Sequence, residues 1–185
     1  MHDPVITGHF VQFYEHDAVL VENVCRMALR GLADNGSAIL VATEEHRVAI
    51  ETRLGVLGLN IAELLESGRL TSLDAAETLS KFMVDRWPDE KLFHEVVGGV
   101  MARASERSEN QFVLAFGEMV ALLCAADNSK AAIRLEQLWN DLAKVHKFSL
   151  LCAYPLSTFK NDFDGATLLR VCAEHSLAIP AESPL

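Results

Sequence analysis

The sequence predicts an α/β fold, a three-layer sandwich around a mostly parallel sheet of about five strands. Three observations lead there. Short continuous apolar runs, such as Ala38-Ile39-Leu40-Val41-Ala42 and Phe112-Val113-Leu114-Ala115-Phe116, read as strands covered on both faces. Segments with apolar residues at helical spacing separate these runs. Most runs end in polar residues that suit a helix start, so the chain reads as successive βαβ units.

The first strand, His9 to Phe13, leads into a polar turn, Tyr14-Glu15-His16, and Asp17 is expected to cap the next helix. That helix, Ala18 to Leu32, carries Leu20, Val24, Met27 and Ala28 on one face, and Asp34-Asn35-Gly36 stops it. Thr43 is an N-cap for the helix after the second strand, with Glu44 and Glu45 at its positive end. A short helix follows Asn60, and Arg69 to Leu73 reads as an edge strand. Asp74-Ala75-Ala76-Glu77 resembles a capping box, opening a helix to about Val84. A longer helix is expected from Asp89 to Glu106, although Gly98-Gly99 in its middle should cost about 1 kcal/mol each. Gly117-Glu118 closes the Phe112 strand, and Met119 to Ala125 follows as a helix. Ser129 to His146 reads as a helix with Leu135, Leu138, Trp139, Leu142 and Val145 inward. Phe148 to Ala153 is the last strand expected, ending at Tyr154-Pro155. A final helix at 165–175 precedes a loose tail at 180–185.

With 185 residues, half of them apolar, the chain is expected to form one domain, its core at about 8–160. No apolar run is long enough to span a bilayer, and the N-terminus lacks a signal-peptide pattern, so the cytoplasm is the expected location. The net charge of -10, without a basic cluster, argues against nucleic acid and anionic membrane as partners. Cys25, Cys124, Cys152 and Cys172 are widely spaced in apolar surroundings and read as buried free thiols.

In a parallel sheet of this kind, ligands sit beyond the carboxyl ends of the strands. Those ends offer Tyr14, Glu15, His16, Thr43, His46, Asp74, Glu118 and Tyr154. The turn after the first strand is where a P-loop would stand, but it has no glycine and no lysine, and the first lysine of the chain is Lys81. Nucleotide hydrolysis is therefore not expected, and neither is a nucleophile elbow chemistry, for want of Gly-x-Ser-x-Gly. His9, His16 and His46 would approach one another if the first two strands were neighbours, with Glu15, Glu44, Glu45 and Glu118 adding oxygens. None of these has a diagnostic ligand spacing, so no metal and no other cofactor is assigned, and no catalytic residue either. Glu118 reads equally as a carboxylate held at a helix N-terminus, and Trp139 as core.

Several stretches together resemble the MEDS sensory domain. These are His9-Phe-Val-Gln-Phe-Tyr14-Glu-His-Asp17, Ile39-Leu-Val-Ala-Thr43 with His46-Arg47, and Arg69-Leu-x-x-Leu-Asp74-Ala-Ala-Glu-Thr-Leu79. Phe116-Gly-Glu-Met-Val120, Leu135-Glu-x-Leu-Trp-Asn140 and Leu151-Cys-Ala-Tyr-Pro155 continue the pattern, over about residues 8–160. The family is named for methanogens, methylotrophs and a dichloromethane-responsive repressor. The resemblance implies a RecA/KaiC-like fold without the P-loop and a role in sensing simple hydrocarbon derivatives. It also implies His9, Phe13 and Tyr14, and then Glu118 and Tyr154, as residues of a sensory pocket. Relatives are fused to histidine kinases, other signalling modules or a helix-turn-helix. This chain has no room for those, so its output is expected to pass to a kinase or other signalling protein in trans, or through a homodimer.

The leading expectation is thus a non-catalytic sensory module for a small organic ligand. The alternatives are an enzyme using Glu118 with His16 or His46 as acid and base, and an interaction module without a ligand.

Overall fold

The computed structural model describes residues 8–109, 111–160 and 165–180. Six parallel strands form the sheet: β1 (His9–Tyr14), β2 (Ser37–Ala42), β3 (Leu70–Asp74), β6 (Val113–Gly117), β7 (Phe148–Pro155) and β8 (Leu177–Ile179). Their order is β3-β2-β6-β7-β1-β8. Two further strands, β4 (Met83–Val84) and β5 (Trp87–Pro88), make a separate antiparallel hairpin. Helices cover both faces of the main sheet, as the α/β reading requires.

One face packs under α1 (Asp17–Leu32), α2 (Glu44–Val56) and α3 (Ile61–Glu66). Leu20, Val24 and Ala28 of α1 meet Leu40 of β2 and Phe116 of β6 in this layer. Gly31 lets α1 lie close to β6, because a Cβ there would stand 2.9 Å from that of Leu114. Gly36 sits where a Cβ would come within 2.0 Å of the Gly31 carbonyl oxygen, so only glycine fits the turn into β2.

The other face packs under α4 (Ala75–Ser80), α5 (Glu90–Phe93), α6 (Gly99–Arg107), α7 (Met119–Ala125), α8 (Ser129–Leu142) and α9 (Ala166–Ala173). Phe93 and Trp139 meet edge to face here, with ring centroids 5.4 Å apart. Residues His94–Gly98 form a π-helical turn between α5 and α6. The helix expected from Asp89 to Glu106 is therefore interrupted where Gly98-Gly99 predicted weakness. Gly98 faces the Leu142 side chain.

Several local expectations are corrected or extended. Residues 177–179, for which no element was expected, pair with Phe10 to Gln12 as a sixth strand, β8; 181–185, expected as part of a loose tail, lie outside the described residues. The α4 helix stops at Ser80 and gives way to the β4–β5 hairpin; Asp85 and Arg86 take positive φ at its tip, which helix periodicity does not reveal. The α8 helix ends at Leu142, leaving Val145 exposed. His16, not Asp17, is the N-cap of α1, and its side chain makes no capping bond.

Candidate functional site

The carboxyl ends of the strands gather one polar cluster. Thr43 caps α2, its Oγ1 accepting from the His46 backbone N–H at 3.4 Å. This first turn sets His46 beside Glu118, the N-cap residue of α7. The Glu118 backbone N–H donates to the Val41 carbonyl at 3.0 Å, which carries the β6 end next to β2. Glu118 Oε2 accepts from the Thr43 N–H at 2.9 Å, and Oε1 lies 2.5 Å from His46 Nδ1. His46 Nε2 faces Asp17 Oδ1 of α1 at 3.5 Å. The Tyr14 ring meets the imidazole edge-on at 6.2 Å.

The electrostatics follow from this packing. The hydrogen bond to Glu118 raises the pKa of His46, and burial opposes it less than the bond and the nearby carboxylates favour it. Burial, then the Glu118 and Asp17 charges, push the Tyr14 phenol above its ordinary range. Carboxylates at both ring nitrogens favour the protonated form of His46, which bridges α1, α2 and α7.

A second cluster lies under the sheet, between β1, β7, α8 and the turn after α9. Strand alternation points His9, Cys152 and Tyr154 to the α8 face, since His9 pairs with Leu150 and Val11 with Cys152. Glu136 of α8 is fully buried at its centre. Glu136 Oε2 stands 3.1 Å from His9 Nε2 and 3.3 Å from Cys152 Sγ. Glu136 Oε1 accepts from the Tyr154 hydroxyl at 2.7 Å and lies 3.4 Å from His175 Nε2. The two imidazoles are 4.0 Å apart. Burial would raise the Glu136 carboxyl, but His175 and His9 outweigh it and hold the pKa well below the usual range. Burial raises the Cys152 thiol and the Tyr154 phenol, and the Glu136 charge adds to both.

The sequence-predicted residues divide between these places. Tyr14, Thr43, His46 and Glu118 converge at the strand ends. His9 and Tyr154 belong to the buried cluster: both face the α8 layer, and His9 starts β1 at the amino end of the strand, whereas Tyr14 ends it beside His46. Phe13 packs in the core against the rings of Tyr154 and Phe159. Asp74 accepts from the Glu77 N–H at 2.8 Å as the cap of α4. Glu15 and His16 are exposed in the turn. Sequence patterns do not single out Glu136 or His175. The signal for Glu136 was a carboxylate at an inward position between Leu135, Leu138 and Trp139; His175 gave none, lying at the end of a short helix.

A third feature is apolar. Ile39 and Val41 of β2, Leu73 of β3, Thr78 of α4, Val97 of the π turn, and Val100, Met101 and Trp139 surround a small, mostly apolar gap beside the ends of β2 and β3. Trp139 keeps its indole N–H buried without a hydrogen-bond partner among the described residues.

A search of curated proteins returns no match. The family model described as the methanogen/methylotroph, DcmR sensory domain, MEDS, matches residues 8–176, nearly all of the described chain. On the six-stranded α/β frame and that match, the chain belongs to the MEDS sensory-domain family.

Proposed function

We propose that the chain is a non-catalytic, cytoplasmic sensory module that takes up a small, weakly polar organic molecule and reports it to a partner protein in trans. Membership of a sensory family supports the general role. The apolar gap beside the β2 and β3 ends carries the ligand class. It is closed down to about 10 Å³, room for about one water, so a ligand of a few heavy atoms must push its wall outward. That wall includes the π turn, a helix segment with non-standard hydrogen bonding that often marks functional sites. The unpaired Trp139 N–H and Thr78 are the polar elements of a mostly apolar lining, which suits a hydrocarbon derivative with a single weak acceptor.

Signalling then follows as a population shift. A ligand that fits the widened gap favours the arrangement with the π turn moved out from β2. The strand-end cluster sits directly above, since Glu118 bonds to Val41, so the α1, α2 and α7 termini feel the change. The His46–Glu118 pair supports the non-catalytic reading, because both imidazole nitrogens are already engaged by the chain's own carboxylates.

The test is a panel of short haloalkanes, alcohols and ketones, followed by tryptophan fluorescence and thermal melting. At least one should raise the melting temperature of the wild type, and Val100→Phe, which fills the gap, should remove that response while melting cooperatively. A wild type that responds to none of them overturns the ligand class, and turnover of a bound compound overturns the non-catalytic reading.

A further inference from the structure

We propose that His9, Glu136, Cys152 and His175 are the four ligands of a zinc ion, which fastens α9 and β8 to β1. Each of these residues offers one ligand atom, and the atoms all lie within 4.8 Å of one another. Zinc with ligands at about 2.0–2.3 Å in a tetrahedron requires ligand atoms roughly 3.3–3.7 Å apart. His9 Nε2, Cys152 Sγ and Glu136 Oε2 already form a triangle with edges of 3.1, 3.3 and 3.3 Å. A small closing movement of His175 completes the fourth corner.

The outer contacts suit a metal site. His175 Nδ1 lies 2.7 Å from the Val171 carbonyl oxygen, an acceptor, so this nitrogen carries the proton. Asn140 Nδ2 donates to the Glu174 carbonyl at 3.0 Å, which leaves its Oδ1 to accept from His9 Nδ1 at 2.9 Å. With these outer protons fixed, each histidine turns its Nε2 toward the Glu136 carboxylate, where a second proton or a metal ion has to stand between them, and a metal ion leaves both rings neutral. His175 Nε2 makes no hydrogen bond among the described residues, although its side chain is fully buried. Imidazoles whose outer N–H is fixed by a carbonyl are the arrangement metal-ligating histidines adopt.

Charge and donor type agree. A thiolate and a carboxylate with two neutral imidazoles balance one divalent cation, so nothing charged is left uncompensated in the interior. Two nitrogens, a sulfur and an oxygen make a borderline-soft set that suits zinc and not magnesium or calcium. Four protein ligands leave no open position, as in structural sites. A cleft of about 280 Å³ lined by His9, Asn140 and Ser176 gives the ion a way in. The sequence hides the site because its ligands come from four distant points in the chain.

The experiment uses the full chain, stripped with a chelator and titrated with Co²⁺, then Zn²⁺. One equivalent of Co²⁺ should give a thiolate-to-metal charge-transfer band with the visible bands of a tetrahedral ion, and Zn²⁺ should bleach both. Cys152→Ser should lose the charge-transfer band, Cys172→Ser should keep it, and Asn140→Ala, which spares all four ligands, should weaken Zn²⁺ binding about 10–100-fold. Zn²⁺ should also slow amide exchange in 166–179. A folded wild type without the thiolate band, or a band that survives in Cys152→Ser, overturns the proposal.

Discussion

The two histidine–carboxylate clusters differ in how many partners each carboxylate must serve and in how far water can help. At the strand ends, Glu118 divides its oxygens between the Thr43 backbone and one imidazole, and the far side of that imidazole meets Asp17, whose side chain is 63% exposed. Solvent can stand in for part of what is lost there. Under the sheet, Glu136 alone serves His9, His175, Cys152 and Tyr154, with no exposure at all. A buried polar network is costly wherever a member goes unsatisfied, so the inner cluster should be brittle and the outer one adjustable. A switch belongs at the adjustable end, and a fixed anchor at the brittle one.

The largest expected effect tests the brittle side. Glu136→Ala leaves two imidazoles and a phenol facing a void and should cost about 3–5 kcal/mol, as removal of one partner of a buried ion pair does. Denaturant unfolding of chelator-treated protein reads this; a loss under 1 kcal/mol would erase the contrast. Glu118→Ala should cost less, about 1–3 kcal/mol, mainly for the stranded Thr43 N–H and His46 side chain. If the two losses came out equal, the exposure of Asp17 would not soften the outer cluster.

That contrast was only half legible in the sequence. The strand runs, the edge position of β3 and the helix caps at Thr43, Asn60 and Asp74 can be read from residue type, because burial and capping are local chemistry. Tyr14, Thr43, His46 and Glu118 also follow from local reading, since every parallel strand ends at the same edge of the sheet. The buried cluster depends on strand order, which no local pattern encodes. Only when β7 stands beside β1 does Cys152 approach His9, and only when the chain returns as β8 does His175 arrive. The β8 segment, Leu-Ala-Ile, is too short to announce itself as a strand.

A third expectation uses pH to isolate the outer cluster. Glu118 and Asp17 raise the pKa of His46 above its ordinary value near 6.5. A histidine raised on folding contributes stability that is full below the unfolded pKa and is lost as pH rises through the folded one. Melting temperature should therefore fall from about pH 6 toward alkaline pH, and His46→Gln should flatten this slope. The groups facing His46 are Glu118, Asp17 and the Tyr14 phenol, whose own pKa lies higher still, so it stays neutral across this range. A slope unchanged in His46→Gln would mean that the imidazolium bridge does not hold the α1, α2 and α7 ends together.

The smallest effect separates a capping carboxylate from a sensory one at the same edge. Asp74 ends β3 and lies beside Leu73, which lines the apolar gap, so proximity alone would recommend it as a ligand residue. Its geometry recommends something simpler: Oδ1 accepts the Glu77 N–H at 2.8 Å, satisfying a donor that the first turn of α4 cannot pair internally. Asp74→Ala should then cost about 1 kcal/mol, within the usual range for a lost N-cap. Asp74→Asn, which keeps the accepting oxygen and removes the charge, should restore most of it. Neither change should alter the response to a small ligand by more than the loss of stability explains, because the carboxylate is spent on the backbone of its own helix. If Asp74→Asn melts like the wild type yet loses the ligand response, the charge itself contacts the ligand. The adjustable region would then extend from the His46 bridge to the edge of the sheet.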